Sequence, residues 1–359
     1  MGPDELKSKA LELYLQMNGG ITMGRLFGPT GGQFFFPAGI SFHPAQSNWL
    51  SQHINHYRST GGPISDFDFW NAYAEWHETV HMMQLLTSPY ISQYAFELEY
   101  LARNAYFSAD RSEIVQLQEA YRKINSDWED TKFGYSPLVL CELHAVTQGL
   151  LWSTGRNPDS LPMIIKRFYD KAGGAYASVC ALMDDLISKL RLSEDKVCML
   201  LPRLCMIAFQ SDQPSFAFYI LIGRLIQERV GEYMSTASPR ELCDWASPGC
   251  IQVITKSLRE RMQPVGMEGY FRLFSIYFDN YEERSIEERL RVLFGESGPD
   301  TSSVFRPITI YSDGEIRFPY LTEDPEEVVI STQKEYLIFI NNLLKGMEIL
   351  HTPAPPLKT

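Results

Sequence analysis

A chain of 359 residues and 41.1 kDa is long enough to bury a substantial core, as one large domain or as two lobes. With 45% hydrophobic and 21% charged residues, it has the make-up of a globular protein rather than a disordered one. A formal net charge of −12 argues against a nucleic-acid partner, which calls for a basic footprint. No run approaches the roughly 18 consecutive apolar residues of a membrane-spanning helix, so no membrane partner is expected. The start, MGPDELKSKALELYLQMN, is a charged amphipathic helix without the apolar core of a signal peptide. Cys141, Cys180, Cys198, Cys205, Cys243 and Cys250 sit mostly among apolar neighbours, without CxxC spacing. They read as reduced, buried thiols in a cytoplasmic protein, and a zinc ribbon is set aside.

The first helix is expected from Asp4 to about Asn18, stopping at Gly19-Gly20. In Ile21–Pro37, the runs ITMGRLF and QFFF flank Gly28-Pro29-Thr30-Gly31-Gly32, a pattern that predicts a β-hairpin. Those glycines lack the spacing and the lysine of a phosphate loop. Ser47–Arg58 reads as a short helix carrying His53 and His56. Histidines on so polar a helix fit a structural role better than a metal site.

Phe67–Thr87, FDFWNAYAEWHETVHMMQLLT, carries His77-Glu78-Thr79-Val80-His81, an HExxH motif inside a strong helical pattern. Ser65 and Asp68 have the spacing of a capping box, and Pro89 stops the run. At about 100° per residue, Trp70, Tyr73, Ala74, His77, Val80, His81 and Gln84 share one face. Two imidazoles at i and i+4 on that face can bind one Zn²⁺, and Glu78 at its edge can take a proton from a metal-bound water. With 7 His in the chain, chance gives about 0.01 such matches, so the motif counts as signal. Glu75 is charged just before the motif and falls on the far side of the helix, where it is expected to face water.

A second helix, Tyr90–Phe107, should pack antiparallel to the first. Its Glu97 and Glu99 flank the apolar stripe, and Glu99 has Arg103 four residues on, the spacing of an ordinary ion pair. Both rank second as third ligand. Ser112–Asp130 is polar and helical. Ser136-Pro137 then opens PLVLCELHAVTQGLLW, which is apolar nearly all round and so expected to be buried. Glu142 interrupts it, and an ionised carboxylate in a dry interior calls for a partner or a metal. Glu142 is the first choice of third ligand. His144 projects about 200° away from it and is not expected to share its metal.

Pro162–Ala172, Ala175–Leu190, Ser193–Phe209 and Ser215–Tyr233 are further helices. Pro307–Pro319 reads as a hairpin, ITIY and EIRF around Ser312-Asp313-Gly314, and a last helix covers Pro325–Leu350. The expected fold is mainly α with small β-hairpins (α+β). Residues 1–154 form a metal-binding lobe and 155–300 a helical lobe, while 301–359 form a hairpin and helix packing back on the core.

His77, Glu78, His81 and Glu142 together resemble the HExxH-plus-Glu zinc metallopeptidases, the gluzincin group of the zincins. The resemblance covers these two helices and, loosely, the upstream hairpin. It implies a zincin-like lobe holding one Zn²⁺ per chain on His77, His81 and Glu142, with Glu78 as the general base. It also implies a cleft whose sheet edge holds extended substrate. The expected activity is a zinc-dependent hydrolase, metallopeptidase-like, acting on a peptide or small-molecule substrate. Two alternatives stay open. Glu78-Thr-Val-His81 is also an ExxH, and Glu348-Ile-Leu-His351 supplies a second, the spacing of ferritin-like di-iron oxygenases and oxidases, with Glu142 as a bridging carboxylate and Fe as the metal. The other is a non-catalytic protein that keeps the helix pair as a folding element or interaction module.

Overall fold

The computed structural model describes residues 2–18, 33–49, 52, 66–153, 160–171, 176–247, 281–294, 305–318 and 326–352. The expected strand Ile21–Phe27, the capping residue Ser65, and His53 and His56 lie outside them. The fold is mainly α with one small sheet. Helix α1 (Pro3–Asn18) leads into β1 (Gln33–Phe35), a 3₁₀ turn (Phe36–Ala38) and β2 (Ile40–His43). The motif helix α2 (Asp66–Thr87) is followed by α3 (Pro89–Phe107), α4 (Arg111–Glu129) and α5 (Pro137–Ser153). Next come α6 (Leu161–Lys171), α7 (Ala177–Leu190), α8 (Glu194–Ala208), α9 (Pro214–Glu228), α10 (Gly231–Thr236), α11 (Pro239–Ala246) and α12 (Ile286–Leu293). The described chain ends with β3 (Ile308–Tyr311), β4 (Ile316–Arg317) and α13 (Glu326–His351).

Local chemistry sets the boundaries around the motif. Ser88 separates α2 from α3: its hydroxyl accepts from the Ile91 amide and donates to the Phe209 carbonyl, while Pro89 occupies the first turn of α3. Ser136 caps α5 in the same manner, accepting from the Val139 amide ahead of Pro137. The helix expected over Ser215–Tyr233 is two helices. Arg229 takes a left-handed conformation at φ 57° and ends α9, and α10 starts afresh at Gly231.

The two hairpins belong to one sheet, in the order β1-β2-β3-β4. β1 runs antiparallel to β2, with Phe34 opposite Ser41, and β3 antiparallel to β4. Between them β2 and β3 are parallel, Ile40 opposite Ile308, so the start and end of the chain close one sheet. Among the described residues β1 pairs with β2, a strand the sequence did not suggest.

Two apolar clusters hold the elements in place. One joins Met82, Met83 and Leu86 of α2 to Leu143, Val146 and Leu150 of α5 and Leu200, Leu201 and Leu204 of α8. The other joins α1, β2, α3, β3 and α13 through Leu13, Phe42, Leu101, Ile310, Leu337 and Leu344. Helices α3 and α13 approach closely enough that a methyl at Gly346 would fall 1.8 Å from the Ala102 carbonyl oxygen. Only glycine fits that crossing. No helix among the described residues is long and apolar enough to cross a membrane.

Candidate metal centre

Helices α2 and α5 pack face to face, and Gly149 lets them do so at the motif. A methyl there would lie 3.2 Å from the Tyr73 ring and 3.6 Å from the His77 amide nitrogen. This crossing brings Glu142 of α5 over the two histidines of α2. The Nε2 atoms of His77 and His81 are 3.0 Å apart, and each lies 3.4 Å from one oxygen of the Glu142 carboxylate. One ligand atom from each residue falls within 4.8 Å of the others, the one such group of three among the described residues. Tetrahedral zinc with bonds of about 2.0–2.1 Å sets neighbouring donors about 3.3–3.4 Å apart, so the closest approach of each histidine to the carboxylate matches and the separation of the two histidines is slightly short. Two imidazoles and a carboxylate are a borderline-soft set suited to Zn²⁺. The residues fit the ion.

Burial sharpens the electrostatics. His77 and His81 are 4% and 2% exposed. Burial alone would raise the Glu142 carboxyl, but the charge of His81 and hydrogen bonds from both histidines outweigh it and hold Glu142 below the ordinary carboxylate range. Burial likewise works against a charged His81, yet Glu142 and Cys141 more than reverse it and push that imidazole well above its usual value. For His77 burial prevails and the shift is downward.

Glu78 is enclosed as deeply, and its Oε2 has no hydrogen-bond partner among the described residues. Burial pushes its carboxyl up to about 8, tempered by the charge of His81.

Residues outside the motif complete the surroundings. The Tyr73 hydroxyl sits 3.3 Å from His77 Nδ1, and the Tyr176 hydroxyl sits 3.3 Å from His77 Nε2, the nitrogen that faces Glu142. On the other side Phe34 and Phe36 lie against the His81 ring, with centroids at 5.8 and 5.5 Å. Tyr73 stood on the histidine face in the sequence, one turn before His77. Tyr176 opens α7, far along the chain, and nothing in its surroundings marked it.

The other candidates are held elsewhere. Glu99 is buried on α3 beside Arg103 at 3.4 Å, and Glu97 accepts from Gln93. His144 accepts from Gln84 and is not part of the metal group, and burial holds its pKa down to about 3. His351 meets the Tyr121 hydroxyl at 2.7 Å and is not part of the metal group. Glu75 corrects an expectation. It is 7% exposed rather than turned to water, and Arg317 of β4 reaches it, its Nη2 meeting the carboxylate at 3.0 Å. Among the described residues all five cysteines are unpaired thiols.

Fold and site together define a mainly α protein with a buried His-His-Glu centre across two packed helices. No family model matches the chain, and neither curated proteins nor solved structures give a match.

Proposed function

We propose that the chain is a zinc-dependent hydrolase, metallopeptidase-like in its chemistry, with His77, His81 and Glu142 as ligands and Glu78 as general base. The observation that carries this reading is the juxtaposition of three converging donors with a buried, half-unpartnered carboxylate one residue along the same helix. Zinc held there supplies Lewis-acid polarisation and lowers the pKa of a water towards neutrality. The rest falls to the chain.

Glu78 offers an oxygen with no competing partner, in a dry setting where a proton is held firmly. A carboxyl near neutrality can both accept a proton and return it to a leaving group. Tyr176 presents its hydroxyl on the ligand side of His77, in position to donate to an oxygen that gains charge during attack. The phenol keeps its proton, since burial and the nearby carboxylates raise it well above the usual tyrosine range. Tyr73 and the Phe34–Phe36 pair wall the histidines off from bulk water, which strengthens each of these interactions.

Elemental analysis of purified chain, together with Glu78→Gln, tests the reading. One zinc per chain is expected, kept by Glu78→Gln while turnover of a fluorogenic peptide or ester panel falls by about 10²-fold or more. Two irons per chain, or loss of metal on Glu78→Gln, would overturn it in favour of an arrangement in which Glu78 is a ligand. A chain that never retains metal would leave the helix pair a purely structural element.

A further inference from the structure

Gln84 follows the motif by one turn on the histidine face of α2, and its side-chain amide makes four contacts. Oε1 lies 2.8 Å from His81 Nδ1 and 2.9 Å from Cys141 Sγ. Nε2 lies 2.9 Å from the Cys141 carbonyl oxygen and 3.0 Å from His144 Nδ1. An amide can be turned over, so its orientation has to follow from its partners. One partner leaves no choice. The Cys141 carbonyl can only accept, so the atom facing it must be the NH₂ group. Turned over, Gln84 would set two oxygens against each other in a dry interior.

The remaining assignments follow in sequence. With NH₂ towards Cys141, Oε1 faces His81, and an oxygen opposite a ring nitrogen requires that nitrogen to carry the proton. Nδ1 of His81 is thus an N–H, and Nε2 is the nitrogen left to face His77 and Glu142, where a metal would take its lone pair. His77 has no such constraint, because the Tyr73 hydroxyl beside its Nδ1 can either give or accept a proton.

We propose that Gln84 is a positioning residue that locks the tautomer and ring orientation of His81, with the Cys141 carbonyl setting the sense of the lock. This deepens the zinc-site reading and rests on it. The same carbonyl belongs to the residue before Glu142. One amide therefore ties the second histidine ligand on α2 to the backbone that carries the carboxylate ligand on α5. A hydrogen-bond acceptor behind a ligating imidazole raises its basicity and fixes its direction, and loss of such a partner lowers metal affinity by about 10- to 100-fold. Methionine matches glutamine in length but cannot accept the Nδ1 proton.

Zn²⁺ affinity measured by competition with a chromophoric chelator provides the test. Gln84→Met should bind Zn²⁺ about 10- to 100-fold more weakly than the natural chain. In the Co²⁺-loaded natural chain, the shifted ring N–H resonance of His81 should exchange slowly with water, as a buried donor to Gln84 must. That spectrum needs no substitution, so it decides the matter even if Gln84→Met does not fold. Equal Zn²⁺ affinity in the natural chain and Gln84→Met, or fast exchange of the His81 N–H, would overturn the lock while leaving the zinc site standing. A natural chain that binds no Zn²⁺, or binds it equally well after His77→Ala and Glu142→Ala, would overturn the zinc site and the lock together.

Discussion

Gly149 backs onto His77: at this point the helix carrying Glu142 touches the helix carrying His77 and His81. A methyl at Gly149 would meet the Tyr73 ring at 3.2 Å, a separation the ring can relieve by a small shift. A branched side chain cannot be accommodated that way. It must push α2 and α5 apart, and with them Glu142 from the histidines. Gly149→Val is expected to lower stability by about 1–3 kcal/mol, the usual cost of overpacking, and to weaken zinc binding as well. Chelator competition and thermal melting, run on the same samples, check both. Normal affinity in a destabilised variant would show that the crossing does not set the ligand geometry.

The Tyr176 hydroxyl makes a narrower claim. Tyr176→Phe removes one oxygen from the ligand side of His77 and leaves the ring packed against Phe168. Metal content should be unchanged. Turnover should drop by about 10²-fold through kcat, the scale for losing one donor to a developing oxyanion. A variant with unaltered kcat would return Tyr176 to the role of wall.

Parts of the site were legible because their signals are local. HExxH sits on one helix, so spacing alone places His77 and His81 side by side. Glu142 stood out as a lone carboxylate in an apolar helix. Tyr176 gave no signal, since a tyrosine that comes near only through tertiary packing looks like any other. Gln84 was on the right face, but its bonds depend on Cys141 and His144 of another helix. In the fold, β3 and β4 were readable from a turn flanked by alternating residues. β2 has four residues, too few to show a period, and its parallel pairing with β3 joins distant parts of the chain. The break at Arg229 has no Gly or Pro at the left-handed position itself.

Glu75 and Arg317 make a prediction about how the sheet is fastened to the motif helix. The carboxylate is buried and the guanidinium partly so. Arg317→Leu leaves a buried charge with its main partner gone, which is expected to cost about 2 kcal/mol once solvent screening of the exposed side is allowed for. Arg317→Leu combined with Glu75→Leu should recover most of that loss. Denaturant unfolding of the two single variants and the double variant measures the coupling, and simple additivity would mean the pair contributes nothing.

The proton on Glu78 makes the metal-free protein's stability depend on pH. Unfolded, this carboxyl ionises near 4.5; folded, burial holds its proton up to about 8. Below about pH 4.5 both states are protonated and the group has no effect. Between those values the unfolded state loses the proton while the folded state keeps it, so stability falls as pH rises, by about 1.4 kcal/mol for each pH unit. Above about pH 8 both states are ionised and the full penalty, on the order of 5 kcal/mol, is in place. Glu78→Gln cannot ionise and should lack this component. With chelator present, melting curves of the two chains should converge near pH 4.5 and separate steadily towards pH 8, the variant being the more stable. His81 and Glu142 titrate in both chains, so to first order their contributions cancel in the difference. Parallel curves across the range would mean that Glu78 is hydrated in the metal-free state, and the case for a base held in a dry pocket would fall with them.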